Sequence, residues 1–132
     1  MHTGTILILI IIMTVIMVCS TQMTLHEGKR RAMPSLRISV EEAKAKRFGL
    51  IVDVRSLQER ATLGYYPLSI PISISSLQHE LPLDISNKQT PILVYSNGDS
   101  RAAQGAALIY RMGYHNVGYI EETYLSLMPG SK

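Results

Sequence analysis

The 132-residue chain has little of what redox, metal and disulfide chemistry require. It holds one cysteine, Cys19, so neither an internal disulfide nor a Cys-rich metal site can form within it. A single thiol fits a reducing compartment. His26, His79 and His115 show no metal-ligand spacing, so they are expected on the surface or in loops, with no metal bound. There is no tryptophan, and one phenylalanine stands against seven tyrosines, which favours amphipathic contacts over a large aromatic core. No internal repeat or low-complexity tract is present. The length allows one domain and little else.

The charge is as uneven as the composition. Of thirteen basic residues, seven fall in residues 27–47: Lys29, Arg30, Arg31, Arg37, Lys44, Lys46 and Arg47. That segment has three acidic residues, and the rest of the chain is close to neutral. A basic stripe beside an apolar segment points to lipid headgroups before nucleic acid. Nucleic acid is not expected as a partner.

From Ile6 to Cys19 only Thr14 interrupts an apolar run, and Gly4 to Met23 carries no charge. About 20 such residues in a helix span roughly the 30 Å hydrocarbon layer. A cleaved signal peptide calls for a basic start and small residues at the cut. The first five residues contain no Lys or Arg, and Val18-Cys19-Ser20 is a poor cleavage site, so a retained anchor is expected over residues 1–23. A basic juxtamembrane linker with Gly28 and Pro34 is expected over 24–35. Because the basic residues follow the helix, the soluble part should lie on the cytosolic or equivalent side, with the N-terminus out. The span has no small-xxx-small motif to favour helix dimerisation.

The remainder, 36–130, alternates in type. Ser39 and Glu42 form a capping box opening a helix that should stop at Gly49. Leu50–Val54 is a short apolar run suited to a strand buried on both faces. A turn-rich stretch with Gly64 and Pro67 leads to a second β-type run, Ile70–Ile74. Ser75 or Ser76 should cap a brief helix carrying Leu77 and Leu81 and stopped at Pro82. Pro91–Tyr95 is the next strand. A six-residue loop enters a helix from Arg101 to Met112, with Ala102, Ala103, Ala106, Ala107 and Tyr110 at helical spacing and Gly113 as its stop. Val117–Ile120 and a short helix at Tyr124–Leu127 close the chain. Strands alternating with helices predict an α/β domain with a mainly parallel sheet flanked by helices.

These residues carry a resemblance. Asp53-Val54-Arg55, Glu59, and Gly64 to Pro67 and Ile70 resemble the rhodanese pattern of a DVR strand end followed by E…GHIPGAI. Val94-Tyr95-Ser96 with Arg101-Ala102, continuing to Gly113-Tyr114 and Val117, resembles that family's VYC-x4-RS…GY segment. The match runs in order over about residues 36–130, nearly the whole soluble part. It implies the small sulfurtransferase fold, with no cofactor, and an active-site loop at Ser96, Asn97, Gly98, Asp99, Ser100 and Arg101, supported by Asp53, Arg55 and Glu59.

The departures bear on activity. In active members the first loop residue is a cysteine that carries sulfane sulfur as a persulfide, stabilised as a thiolate by loop amides and the helix N-terminus. This chain has Ser96 there, and a hydroxyl forms no persulfide. Tyr65 replaces the usual histidine, Glu122-Thr123 the usual Gly-Gly, and Leu127 the usual tryptophan. A hydrolase role for Ser96 lacks support, because a nucleophile elbow needs glycine two positions either side and Val94 occupies one of them. Two readings of the loop remain open: an anion cradle around Gly98 and Arg101, which Asp99 would oppose, or an Arg101 that merely pairs with Asp53 or Glu59. Tyr65 and Tyr66 are candidates for partner contact or plain loop packing.

The expected function is therefore a catalytically inactive, membrane-tethered module that binds or scaffolds. Its expected partners are the bilayer, other proteins of a membrane-associated assembly, and a small anion. Two alternatives stay open. One is a purely structural subunit of a respiratory or photosynthetic complex or a virion, with a closed pocket. The other is a residual sulfurtransferase or phosphatase-like enzyme. The full-length chain is expected to sediment with membranes and to resist carbonate extraction. Mass spectrometry finding a mature N-terminus between Cys19 and Glu27 would overturn the anchor.

Overall fold

The computed structural model describes residues 2–28 and 33–131, with side chains omitted for residues 20–28. Lys29, Arg30 and Arg31, the core of the expected basic linker, lie outside the described residues, as does the side chain of His26. Contacts divide the chain into two units, one ending at Pro34 and one starting at Ser35.

The first unit is helix α1, His2–Gly28, which continues past the apolar stretch that ends at Met23. Its part His2–Cys19 is long and apolar enough to cross a membrane, a test that an N-terminal signal sequence also passes. Thr14, the polar interruption, donates its hydroxyl to the Ile11 carbonyl at 2.8 Å and lies 3.1 Å from that of Ile10. The helix thus satisfies this group internally, as an apolar surrounding demands.

The second unit is a four-stranded parallel sheet in the order β2-β1-β3-β4. Its strands are β1 Leu50–Asp53, β2 Ser69–Pro71, β3 Ile92–Tyr95 and β4 Val117–Tyr119. The chain enters beside β4, where Ile38 N–H donates to Tyr119 O at 2.9 Å and Tyr119 N–H to Leu36 O at 3.0 Å. Gly118 makes that approach possible, since a Cβ there would lie 3.2 Å from Ile38 Cγ2 and 3.3 Å from the Leu36 carbonyl.

Strand alternation sorts the core into two faces. Val52 and Val94 point towards α4 (Leu77–Asp84) and α5 (Arg101–Arg111), meeting Leu77, Leu81, Ala106 and Ile109. Leu93 and Tyr95 point the other way, towards Ala43 of α2 (Val40–Ala45), Ile120 and Leu127. The buried stripe of α5 is Ala102, Gly105, Ala106 and Ile109, rotated from the expected one; Ala103, Ala107 and Tyr110 are half-buried. Gly105 sets the rotation. A Cβ there would stand 3.0 Å from Val54 Cγ1 and 3.3 Å from Val94 Cγ1, so glycine lets the helix lie close on the strands.

Five local expectations need correction. Helix α2 ends at Ala45, not Gly49, because Lys46 turns extended. Gly49 instead passes against Thr90, whose Cγ2 would be 2.5 Å from a Cβ. A helix absent from the expectations, α3 Leu57–Leu63, stands in the turn-rich stretch. Helix α4 continues through Pro82 to Asp84. Buried Leu81 and Ile85, which packs on the core, hold that last turn against the roughly 3 kcal/mol cost of an interior proline. Ser76 occupies the N-cap of α4 without a capping bond from its side chain. Strand β2 covers Ser69–Pro71 only, and Ile74 already begins a single 3₁₀ turn.

Candidate functional site

The register that pairs Asp53 with Tyr95 sets the two side by side where β1 and β3 end, the sheet edge at which parallel α/β folds place ligands. Asp53 is fully buried and Arg55 nearly so, at 2 % exposure. A buried carboxylate is tolerated only if its lone pairs are used. Asp53 Oδ1 accepts from the Arg55 backbone N–H at 3.0 Å and from Nε at 2.9 Å. Oδ2 accepts from Arg55 Nη2 at 2.8 Å, Arg60 Nη1 at 3.1 Å and the Tyr95 hydroxyl at 3.2 Å. Burial alone would raise the Asp53 pKa, but the hydrogen bonds from Arg55 and Arg60 outweigh it and hold the pKa below its ordinary 3.8. Burial pushes the Tyr95 hydroxyl the other way, upward.

Arg55 carries this anchoring outward. Its Nη2 donates to the Gly64 carbonyl at 2.7 Å and its Nη1 to Asn97 Oδ1 at 2.9 Å. The guanidinium also lies 5.5 Å from the Tyr95 ring centroid and 5.6 Å from that of Tyr124. Gly64 is at φ +80°, the left-handed region that favours glycine, and a Cβ there would displace the Tyr124 hydroxyl, 2.5 Å from its position. Arg60, which sequence reasoning missed, ties Asp53 to β2 through Ser69 Oγ at 3.0 Å and Ser69 O at 2.9 Å. It sits 3.9 Å over the Tyr65 ring. Tyr66 N–H donates to the Tyr95 hydroxyl at 3.1 Å.

The loop after β3 turns at Gly98, φ +80°, into α5. Ser96 is buried at 1 % exposure and its Oγ donates to Asp99 Oδ1 at 2.8 Å. The same Oδ1 accepts from the Arg101 backbone N–H at 3.0 Å, and Asp99 Oδ2 from Arg101 Nη2 at 2.7 Å. Arg101 reaches Glu59 as well, with Nη1 to Oε2 at 2.7 Å and Nη2 to Oε1 at 2.8 Å. Arg101 therefore pairs with Glu59 and Asp99; Asp53 is committed to Arg55 and Arg60. The Arg101 bonds hold the carboxyls of Glu59 and Asp99 below the usual range and raise its own pKa, by Glu59 first.

Glu59 has a second task, the reciprocal cap of α3. Ser56 Oγ accepts from Glu59 N–H at 3.1 Å, and Glu59 Oε2 from Ser56 N–H at 2.8 Å. The signal for this helix, Ser56 followed three residues later by Glu59, was present in the sequence. At Ser39 only the forward half forms, from Glu42 N–H to Ser39 Oγ at 3.1 Å. All six loop residues and their three supporters thus gather at one sheet edge. A carboxylate of the chain itself occupies the loop, and Ser96 Oγ is hydrogen-bonded to that acid. His115, far along the chain, stacks on Tyr110 with centroids 4.4 Å apart.

The model of the rhodanese-like domain family matches residues 38–126. Among solved structures, a human single-domain sulfurtransferase is 18% identical with a TM-score of 0.59, covering 75% of this chain and all of that one. A Saccharomyces cerevisiae single-domain sulfurtransferase is 16% identical with a TM-score of 0.55, covering 74% and 91%. A Staphylococcus saprophyticus protein is 26% identical with a TM-score of 0.57, covering 76% and 99%. No curated protein matches the chain.

The buried pair yields a stability prediction. Asp53→Asn leaves the Arg55 guanidinium buried without its counter-charge and should cost about 3–5 kcal/mol at neutral pH. A carboxyl whose folded pKa is depressed contributes stability above its unfolded pKa and loses it as pH falls through the folded value. The gap between native and variant proteins in urea unfolding should therefore be full above pH 3.8 and shrink below it. A gap unchanged down to about pH 2 would show that the charge is not its source.

Proposed function

The chain belongs to the rhodanese-like domain family, and from that premise we propose that it is a non-catalytic, membrane-tethered member that works by binding other proteins. One observation carries this reading. The loop that would hold a reactive sulfur contains Asp99, whose carboxylate accepts from Ser96 Oγ, the Arg101 backbone and the Arg101 guanidinium. By the family resemblance, Ser96 stands where active members carry cysteine. The chain's one thiol, Cys19, belongs to the apolar helix.

Two chemical arguments support it. A serine hydroxyl bonded to a carboxylate that is itself held by an arginine has no strong base to take its proton. A loop already occupied by its own anion also repels an anionic sulfur donor, and this favours scaffolding over use of the loop as an anion site. On α3, which Glu59 joins to the loop, Leu57 is 73 % exposed and Leu63 55 %, and Tyr65 just beyond it is 47 % exposed, residues available for protein contact. The tether is α1, and the basic residues that follow it support a soluble domain on the cytosolic or equivalent side.

The test restores the thiol with and without the internal carboxylate. In Ser96→Cys, Asp99 faces the new thiol and disfavours its thiolate. In Ser96→Cys/Asp99→Gly it does not, and the thiol pKa should fall below its free value of about 8.5 at the helix N-terminus. With thiosulfate, thiolate attack on the sulfane sulfur releases sulfite and leaves a persulfide. Intact mass should show one added sulfur weakly in the single variant and strongly in the double. Full sulfur uptake by the single variant would mean that Asp99 does not close the loop.

A further inference from the structure

The two faces of the sheet are covered unequally. The eight-residue α4 and eleven-residue α5 cover one, whereas the other carries the six-residue α2 and the single turn Tyr124–Leu127. A parallel sheet wants both faces buried. Here Ile51, in the interior strand β1, stays half-exposed. A cleft of about 350 Å³ opens beside it, floored by Ile51, Leu93 and Leu127 and walled by Phe48 and Tyr66. It shares no residue with the Ser96–Arg101 loop.

The cleft is mixed in character, its apolar residues joined by cationic ones. Lys44, Lys46 and Arg47 line it; Glu41 and Glu42, the acidic residues of α2, do not. Lys44 Nζ donates to the Ser131 carbonyl and hydroxyl at 3.0 and 2.8 Å. Lys46 Nζ donates to Asn116 Oδ1 at 3.1 Å and lies 5.5 Å from the Phe48 centroid. Those acceptors are neutral. Among the described residues, none of the three cations forms an ion pair with a carboxylate, although Arg37, Arg55, Arg60 and Arg101 each do. Uncompensated positive charge beside apolar residues is complementary to a ligand with a hydrocarbon body and an anionic head.

We propose that this cleft binds a small amphipathic anion, one hydrocarbon chain bearing a carboxylate, sulfate or phosphate group. The chain lies on Ile51, Leu93 and Leu127, and the head meets Lys46 and Arg47. The volume is at the lower end of the range for small-molecule sites. A protein partner would need a far larger face, about 800 Å² on each side. The same chemistry is offered by a single-chain lipid in a bilayer and by a free fatty acid in solution.

The test uses the full chain in phosphatidylcholine nanodiscs with diazirine-bearing probes. One arm adds photoreactive dodecanoate from solution, a second carries a photoreactive lysophosphatidate in the disc, and a third adds the uncharged dodecanol analogue. Peptide mapping should place adducts on Phe48, Tyr66 or Leu127 for at least one anionic probe, and whichever anion labels identifies the source. Lys46→Gln/Arg47→Gln should cut that labelling by roughly tenfold or more, the loss expected from one or two charge-assisted contacts. Ile51→Trp, which fills the cleft without touching its charge, should also abolish it. Equal labelling by dodecanol, adducts confined to α1, or labelling unchanged by either variant would overturn the proposal.

Discussion

The buried ion pair between Asp53 and Arg55 is the contact on which the rest of this domain hangs. Both side chains are fully out of solvent, so neither charge is tolerable without the other. The pair lies at the end of β1, and every further contact of Arg55 and of its neighbour Arg60 fixes a different piece of chain. Gly64 is held by Arg55 and Ser69 by Arg60, while Asn97 ties in the loop after β3. Breaking such a pair is costly although making it gains little over an apolar core. Its value here is positional: the buried Arg55 guanidinium ties the end of β1 to the turn at Gly64 and to the loop after β3, and Arg60 adds β2.

The state of the loop follows from that placement. With Asn97 anchored on Arg55, the chain must turn at Gly98, and Asp99 returns to the start of α5. A carboxylate near a helix N-terminus is favourable in itself, since the helix dipole and free amides attract negative charge. Arg101 then clamps it and, through Glu59, locks α3 to the same place. One arginine and two acids close a structure that resembles an anion site with its anion built in. Beside Ser96, Arg101 is thus paired with both Glu59 and Asp99.

Much of this was legible in the sequence, for identifiable reasons. Strands β1 and β3 are short apolar runs bounded by glycine, proline and polar residues, and such runs read clearly. The loop and its supporters came from motif spacing, and they do converge. Arg60 escaped notice because its contact with Ser69 depends on β2 lying beside β1, which no local pattern reveals. Helix α3 escaped because it buries none of its residues, so it has no apolar periodicity; only its capping box marked it. The rotation of α5 depended on Gly105, whose role appears only once Val54 and Val94 are known to face it. Pro82 misled because packing of Leu81 and Ile85 overrides a local breaker.

Membership of the rhodanese-like family joins this chain to sulfurtransferases by fold, and our proposal from the contents of its loop is that the chemistry has not been kept. The measurement that bears on this most directly is steady-state thiosulfate:cyanide sulfur transfer by the unaltered full-length protein in neutral detergent, run beside a Cys19→Ser variant. The account predicts thiocyanate formation at the protein-free background rate for both. Turnover above background that survives replacement of Cys19 would contradict it, since sulfur would then be carried by a domain with no thiol.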